Sequence, residues 1–202
     1  MKVGFIVECG PQGAESRVIP HLARMIEATL EIVDPITLDS KRLLKENCGR
    51  WAKALLDRGC ARVLIMWDLK SDWGEYEGRG CRHDDKEAIF ESMRNAGVRP
   101  ADNRIQLVCI EKMLESWLIA DERALSDLLS TEAHKKRIKR VKSPESIPNP
   151  KAYLITLFRK SGGRFRRYED TIHAIQIAQK IQNLTRLQTL DSFKRFEEKL
   201  IR

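Results

Sequence analysis

Residues 62–68 read Arg-Val-Leu-Ile-Met-Trp-Asp, five apolar residues in a row closed by a carboxylate. A run this short and this continuous predicts a strand buried on both faces, the kind found inside parallel sheets. Two more stretches share the pattern. Val3-Gly-Phe-Ile-Val runs into Glu8, and Ile105-Gln-Leu-Val-Cys-Ile runs into Glu111. Between them the apolar spacing changes to that of helices, over Glu15 to Thr29, Ser40 to Arg58, Asp84 to Ala96 (closed by Gly97) and Glu111 to Ala120, with a fourth strand at Leu30 to Ile36. Strand and helix in alternation predict an α/β fold. Its sheet is four-stranded and mainly parallel, flanked by helices and joined by right-handed crossovers.

The alternation stops at Asp121. Beyond it lie a basic, proline-marked connector (134–144) and helical stretches at Lys151 to Lys160, Asp170 to Leu184 and Asp191 to Ile201. Two units are expected: an α/β domain over 1–121 and a basic helical extension over 122–202, packed on the core. The charge divides at the same place. Residues 1–120 hold 18 Lys/Arg and 19 Asp/Glu, whereas 121–202 hold 19 and 10, so the net +8 belongs almost wholly to the C-terminal part. A basic face beside an acidic pocket suits a polyanion, and nucleic acid is the expected partner.

No apolar run approaches the roughly 18 residues that a membrane helix needs. Met1-Lys2 leads straight into strand sequence, without the pattern of a cleaved leader, which predicts a cytoplasmic protein with no membrane partner. The five cysteines are an odd number and contain no CxxC pair, so reduced thiols are expected rather than a disulfide framework. Cys81 and His83 supply two ligands where a zinc site needs four.

The strand ends carry the chemistry. In open α/β sheets ligands bind beyond the carboxyl ends of the strands. There stand Glu8, then Asp68 and Asp72, then Glu111 and Glu115, acids that converge although distant in sequence. Asp68 ends the most apolar strand, where an ionised side chain is costly unless it meets water, a metal or a partner. Glu111 and Glu115 at i and i+4 are expected on one helix face, where like charges repel and a cation would relieve them. Each acid also has a plain structural use as a helix cap or as compensation of a helix dipole.

The set resembles the Toprim fold of topoisomerases, primases and overcoming-lysogenization-defect (OLD) type nucleases, and more closely a family of small bacterial proteins related to OLD-type Toprim domains. The stretches that carry the resemblance are Ile6-Val7-Glu8, Trp67-Asp68, residues 81–89 (Cys-Arg-His-Asp-Asp-Lys-Glu-Ala-Ile), residues 108–121 (Val-Cys-Ile-Glu-Lys-Met-Leu-Glu-Ser-Trp-Leu-Ile-Ala-Asp), Asn149-Pro-Lys151 and residues 192–196. The resemblance implies that Glu8 is the Toprim glutamate, Asp68 the first aspartate of an Asp-x-Asp element, and Glu111 or Glu115 the later ligand. The chain departs from the pattern twice: Cys9 stands where a glycine is usual, and Asp68-Leu-Lys70 replaces Asp-x-Asp, with Lys70 a candidate fixed cation in place of a second metal.

Together these readings predict a Toprim-like nuclease for DNA or RNA, dependent on Mg²⁺ or Mn²⁺ held by Glu8, Asp68, Asp72, Glu111 and Glu115, hard oxygen ligands that suit those ions. By analogy with OLD-type enzymes, Lys151 is a candidate charge stabiliser, and a separate ATPase is a candidate partner alongside a homodimer. Lys135, Lys136, Arg137, Lys139 and Arg140, with Arg159, Lys160, Arg164, Arg166 and Arg167, are the candidate phosphate contacts, and Phe165 and Tyr168 candidates for base stacking. The alternative class is a non-catalytic module that keeps the fold and binds nucleic acid or protein. A small-molecule phosphotransferase or phosphatase ranks third because it leaves the C-terminal charge without a use.

Overall fold

The computed structural model describes residues 1–69, 82–161 and 165–201. In chain order it forms β1 (Lys2–Val7), α1 (Ala14–Ile26), β2 (Glu31–Ile32), β3 (Ile36–Thr37), α2 (Lys41–Asp57), β4 (Arg62–Asp68), α3 (Arg82–Asn95), β5 (Ile105–Ile110), α4 (Glu115–Ala120), α5 (Glu122–Leu129), α6 (Pro150–Lys160), α7 (Asp170–Ala178) and α8 (Asp191–Ile201). Every strand pairing is parallel. β1 lies between the β2/β3 edge and β4, and β4 pairs with β5, which brings Asp68 level with Ile110. The expected α/β architecture holds.

The fourth strand is broken in two. β2 and β3 both pair with β1, and the Asp34-Pro35 step between them interrupts the ladder, because proline has no N–H to give.

Alternation along the strands sorts the side chains into two layers. Ile6, Val63, Ile65, Trp67 and Cys109 face α2 and α3, whereas Val3, Phe5, Val7, Leu64, Met66, Val108 and Ile110 face α1, α4 and the C-terminal helices. Gly4 sits under α2, where a Cβ would stand 2.8 Å from Leu55 Cδ1, so its missing side chain sets how closely that helix approaches. Apolar residues from both parts of the sequence share one cluster, from Val3 to Leu200. At its centre the buried Trp117 meets Phe193 edge-on at 5.0 Å and donates from Nε1 to Ser192 Oγ at 2.7 Å. Filling that position is worth about 3–5 kcal/mol against alanine.

Three helices differ from the sequence expectation. α7 ends at Ala178 rather than near Leu184. α5 is an additional helix, capped by Asp121, whose Oδ1 accepts the N–H groups of Arg123 and Ala124. α4 begins only at Glu115, because Lys112 lies in the left-handed region at φ 65° and the chain after β5 turns before it coils. Glu111 and Glu115 therefore do not share a helix face.

Candidate functional site

β1 delivers Glu8 to the carboxyl edge of the sheet, and a turn closed by Gly13 N–H on the Gly10 carbonyl (2.8 Å) leads into α1. Glycine is needed at position 13, since a Cβ there would lie 2.4 Å from that of Cys9. The turn places Glu15 in the first turn of α1. Asp68 ends β4, and Glu115 opens α4. These four acids, with Lys151 of α6 and Asp170 of α7, line one cavity of about 620 Å³. Two contacts dock α7 on α1 and so bring Asp170 there: Arg17 Nη1 donates to the Thr171 carbonyl at 3.0 Å, and His21 Nε2 lies 3.2 Å from that of Ala178.

Glu8, Asp68 and Glu115 are buried. Glu8 Oε2 accepts the Asp68 backbone N–H at 3.3 Å, and Glu115 Oε1 accepts the Tyr168 hydroxyl at 3.3 Å. Asp68 Oδ1 is buried without a hydrogen-bond partner among the described residues, a costly state for a carboxylate oxygen. Desolvation, with repulsion from the neighbouring acids, raises all four carboxyls: Glu8 to about 8, against the pull of Lys41, Glu115 to about 7, and Asp68 and Glu15 also upward. Burial also raises Asp170, but its 3.0 Å ion pair with Lys151 outweighs that and holds it below the ordinary value. Burial followed by the Glu15 charge pushes the Cys9 thiol up, so it stays protonated.

An all-oxygen donor set around a cavity, with one buried oxygen unsatisfied, fits a hard divalent cation. Among the described residues no three His, Cys, Asp or Glu side chains stand close enough together to hold one ion as they are. Holding one requires rotamer changes within the cavity.

Glu111 is absent from the cavity lining. It binds the guanidinium groups of Arg82 and Arg195, the latter at 3.4 Å, so its expected place beside Glu115 is corrected: the turn at Lys112 sends it to the far side of β5. Asp72, Lys70, Cys81 and Arg164 lie outside the described residues. Cys9, Cys48, Cys60 and Cys109 are free thiols. Glu15 and Asp170 were missed by the sequence reading. Glu15 had a signal, an acid in the first turn of the helix that follows Glu8, whereas Asp170 is brought in only by the docking of α7.

Arg166 and Arg167 are exposed and immediately precede Tyr168, whose hydroxyl reaches Glu115; neither arginine lines the acid cavity. Lys135, Arg137, Lys139 and Arg140 are exposed on the irregular connector, and Lys136, half-buried, lines a separate cleft with Asp121 and Asp127. Base stacking by Tyr168 is corrected: it is 2% exposed and packs edge-on against Phe158, with Phe165 turned to Phe158 and His173.

Behind the sheet a second polar group is buried. Asp85 Oδ2 accepts Trp67 Nε1 at 3.1 Å and lies 3.4 Å from Lys41 Nζ, which also donates to the Leu69 carbonyl at 3.0 Å. Lys45 reaches Asp85 Oδ1 at 3.3 Å.

Among the described residues no helix is long and apolar enough to cross a membrane. A family model described as a domain of unknown function (DUF4276) matches residues 11–201, a span that takes in Glu15, Asp68, Glu115, Lys151 and Asp170. The chain belongs to that family. No curated protein and no solved structure matches it.

Proposed function

We propose that this chain, a member of the DUF4276 family, is a divalent-metal-dependent phosphodiesterase acting on nucleic acid, a nuclease of Toprim-like type. The observation that carries the reading is the gathering of Glu8, Glu15, Asp68 and Glu115 around one cavity, with Asp68 Oδ1 left unsatisfied. Four carboxylates crowded where water is scarce raise one another's proton affinity, and a bound cation offsets that repulsion.

Glu8, Asp68 and Glu115, with Glu15 in place of the expected Glu111, would hold Mg²⁺ or Mn²⁺. Such an ion supplies Lewis-acid polarisation of a phosphate and lowers the pKa of an attacking water. The chain's own groups do the rest. Tyr168 orients Glu115 through its hydroxyl, which donates to Oε1 at 3.3 Å. Lys151, held by Asp170, offers positive charge to a phosphate oxygen, and the exposed Arg166 and Arg167 add to the positive field that attracts a polyanion. The resemblance to OLD-type enzymes adds a separate ATPase as the expected partner, in a defence or repair setting.

The second reading is a binding module that keeps the fold without the chemistry. It is favoured by the lack, among the described residues, of any three acids close enough together to hold one ion. Cleavage of single- and double-stranded DNA, RNA and tRNA with Mg²⁺ or Mn²⁺, wild type against Glu8→Gln, separates the two. Metal-dependent cutting that disappears in Glu8→Gln supports the nuclease. Salt-sensitive binding without cutting supports the module, and cutting by both proteins removes Glu8 from the site.

A further inference from the structure

Among the described residues β5 is the last strand of the sheet, and two helices flank it with cations one turn apart. α8 presents Arg195 and Lys199: Arg195 Nη2 donates to the Cys109 carbonyl at 3.5 Å, and Lys199 Nζ donates to that of Leu107. α3 presents Arg82 and Lys86. Arg82 and Arg195 meet on Glu111, the residue that follows Ile110, and Ile110 is the partner of Asp68 in the sheet. Neighbouring strands lie about 5 Å apart, so the strand that carries this cluster runs next to the one that ends at Asp68.

Sealing a strand edge accounts for Arg195 and Lys199, since their bonds occupy carbonyls that would otherwise template another strand. It does not account for α3. Lys86 is exposed, its ammonium 5.2 Å from the centre of the Phe90 ring, and the Arg82 side chain is 45% exposed although it binds Glu111. The cations also act on one another. Burial, then the charges of Lys86, Arg195 and Arg82, hold the Lys199 ammonium below its ordinary value.

We infer that Arg82, Lys86, Arg195 and Lys199 form a phosphate-binding ridge along β5 that receives the backbone of a nucleic-acid strand whose neighbouring phosphate lies at the acid cavity. The inference rests on the reading that the substrate is a nucleic acid. An acidic cavity repels a polyanion, and a row of cations along the neighbouring strand offsets that repulsion without occupying the cavity. Guanidinium groups suit the task because their planar fork matches two phosphate oxygens.

The test is binding without chemistry: a labelled single-stranded oligonucleotide and its duplex are titrated in EDTA over a series of salt concentrations. Wild type is compared with Lys86→Gln and Arg82→Gln, both of which leave Glu111 paired with Arg195. Each variant is expected to bind more weakly, with the slope of log affinity against log salt reduced by about 1, and to melt as the wild type does. No binding by the wild type, or affinities and slopes in both variants equal to the wild type, overturns the ridge. Cutting by the wild type in Mg²⁺ is scored separately. A protein that binds through the ridge and never cuts keeps this inference and loses the nuclease, and one that cuts while both variants bind normally does the reverse.

Discussion

Glu8 Oε2 accepts the backbone N–H of Asp68 at 3.3 Å, so the acid that follows the first strand is tied to the end of the neighbouring strand sixty residues later. The bond fixes two carboxylates at one point of the sheet edge. It does not neutralise either, and from that follows a pH dependence.

Without metal, the protein should lose stability as pH rises. Glu8 titrates near 8 and Glu115 near 7 in the folded state, against 4.5 for each when unfolded. Between those limits the native state binds more protons than the unfolded one, so stability is complete below about 4.5 and falls as pH passes toward 8, by about 1.4 kcal/mol per pH unit for each such group. Asp170, shifted the other way, acts only in the acid range and does not disturb the trend. Melting in EDTA at pH 5 and pH 8 checks the sign. Mg²⁺ or Mn²⁺ should restore the loss at pH 8, and equal melting temperatures at the two pH values in EDTA would contradict the crowding of these acids.

Glu8→Gln keeps the shape and removes the charge. In EDTA at pH 8 it should melt above the wild type by several degrees, since about 1 kcal/mol moves a chain of this size by about 2–4 °C. In Mn²⁺ the order should reverse, because the variant gains little from the ion. Calorimetric titration with Mn²⁺ gives the same comparison without heating. A variant that binds Mn²⁺ as the wild type does would place the ion elsewhere.

The strand ends were legible in the sequence because a buried strand that stops at a carboxylate, such as 62–68, leaves few other uses for that charge. Glu15 was legible in principle, since it opens the helix that follows Glu8. The place of Glu111 was not. Helical spacing from Glu111 to Ala120 is regular, and only the left-handed Lys112, a residue type with no preference for that region, breaks it. Asp170 reaches the site through the packing of α7 on α1, a long-range contact that leaves no periodic trace in either segment. The broken edge strand was announced by Pro35 yet reads as one run because apolar residues continue on both sides of it.

Glu115 and Glu111 should separate cleanly under mutation. Glu115→Gln should weaken Mn²⁺ binding at pH 8, since that carboxyl lines the cavity. Glu111→Gln should leave Mn²⁺ affinity unchanged and lower stability by about 1 kcal/mol or less, the range of partly exposed ion pairs, because it removes the counter-charge of Arg82 and Arg195. Titration calorimetry and urea unfolding on the same two variants decide it. A loss of metal affinity in Glu111→Gln would return that residue to the site.

Asp85 supports the site from the opposite face of the sheet. Its carboxylate holds Lys41 and Lys45 and accepts the indole N–H of Trp67, and Lys41 in turn donates to the Leu69 carbonyl, one residue past Asp68. The Lys41 and Asp85 side chains are each only 8% exposed. Removing one partner of such a pair leaves the other buried and uncompensated, so Asp85→Ala should cost about 3–5 kcal/mol in urea unfolding. The double variant Asp85→Ala/Lys41→Met should recover part of that loss, because the buried Lys41 charge goes with its partner while Lys45 still loses its contact with Asp85. It should also push Glu8 further up, since Lys41 lowers it by more than Asp85 raises it. Mn²⁺ binding by the double variant should then need a higher pH than in the wild type, although none of the cavity acids has changed. An unshifted pH dependence would confine Asp85 and Lys41 to a role in packing.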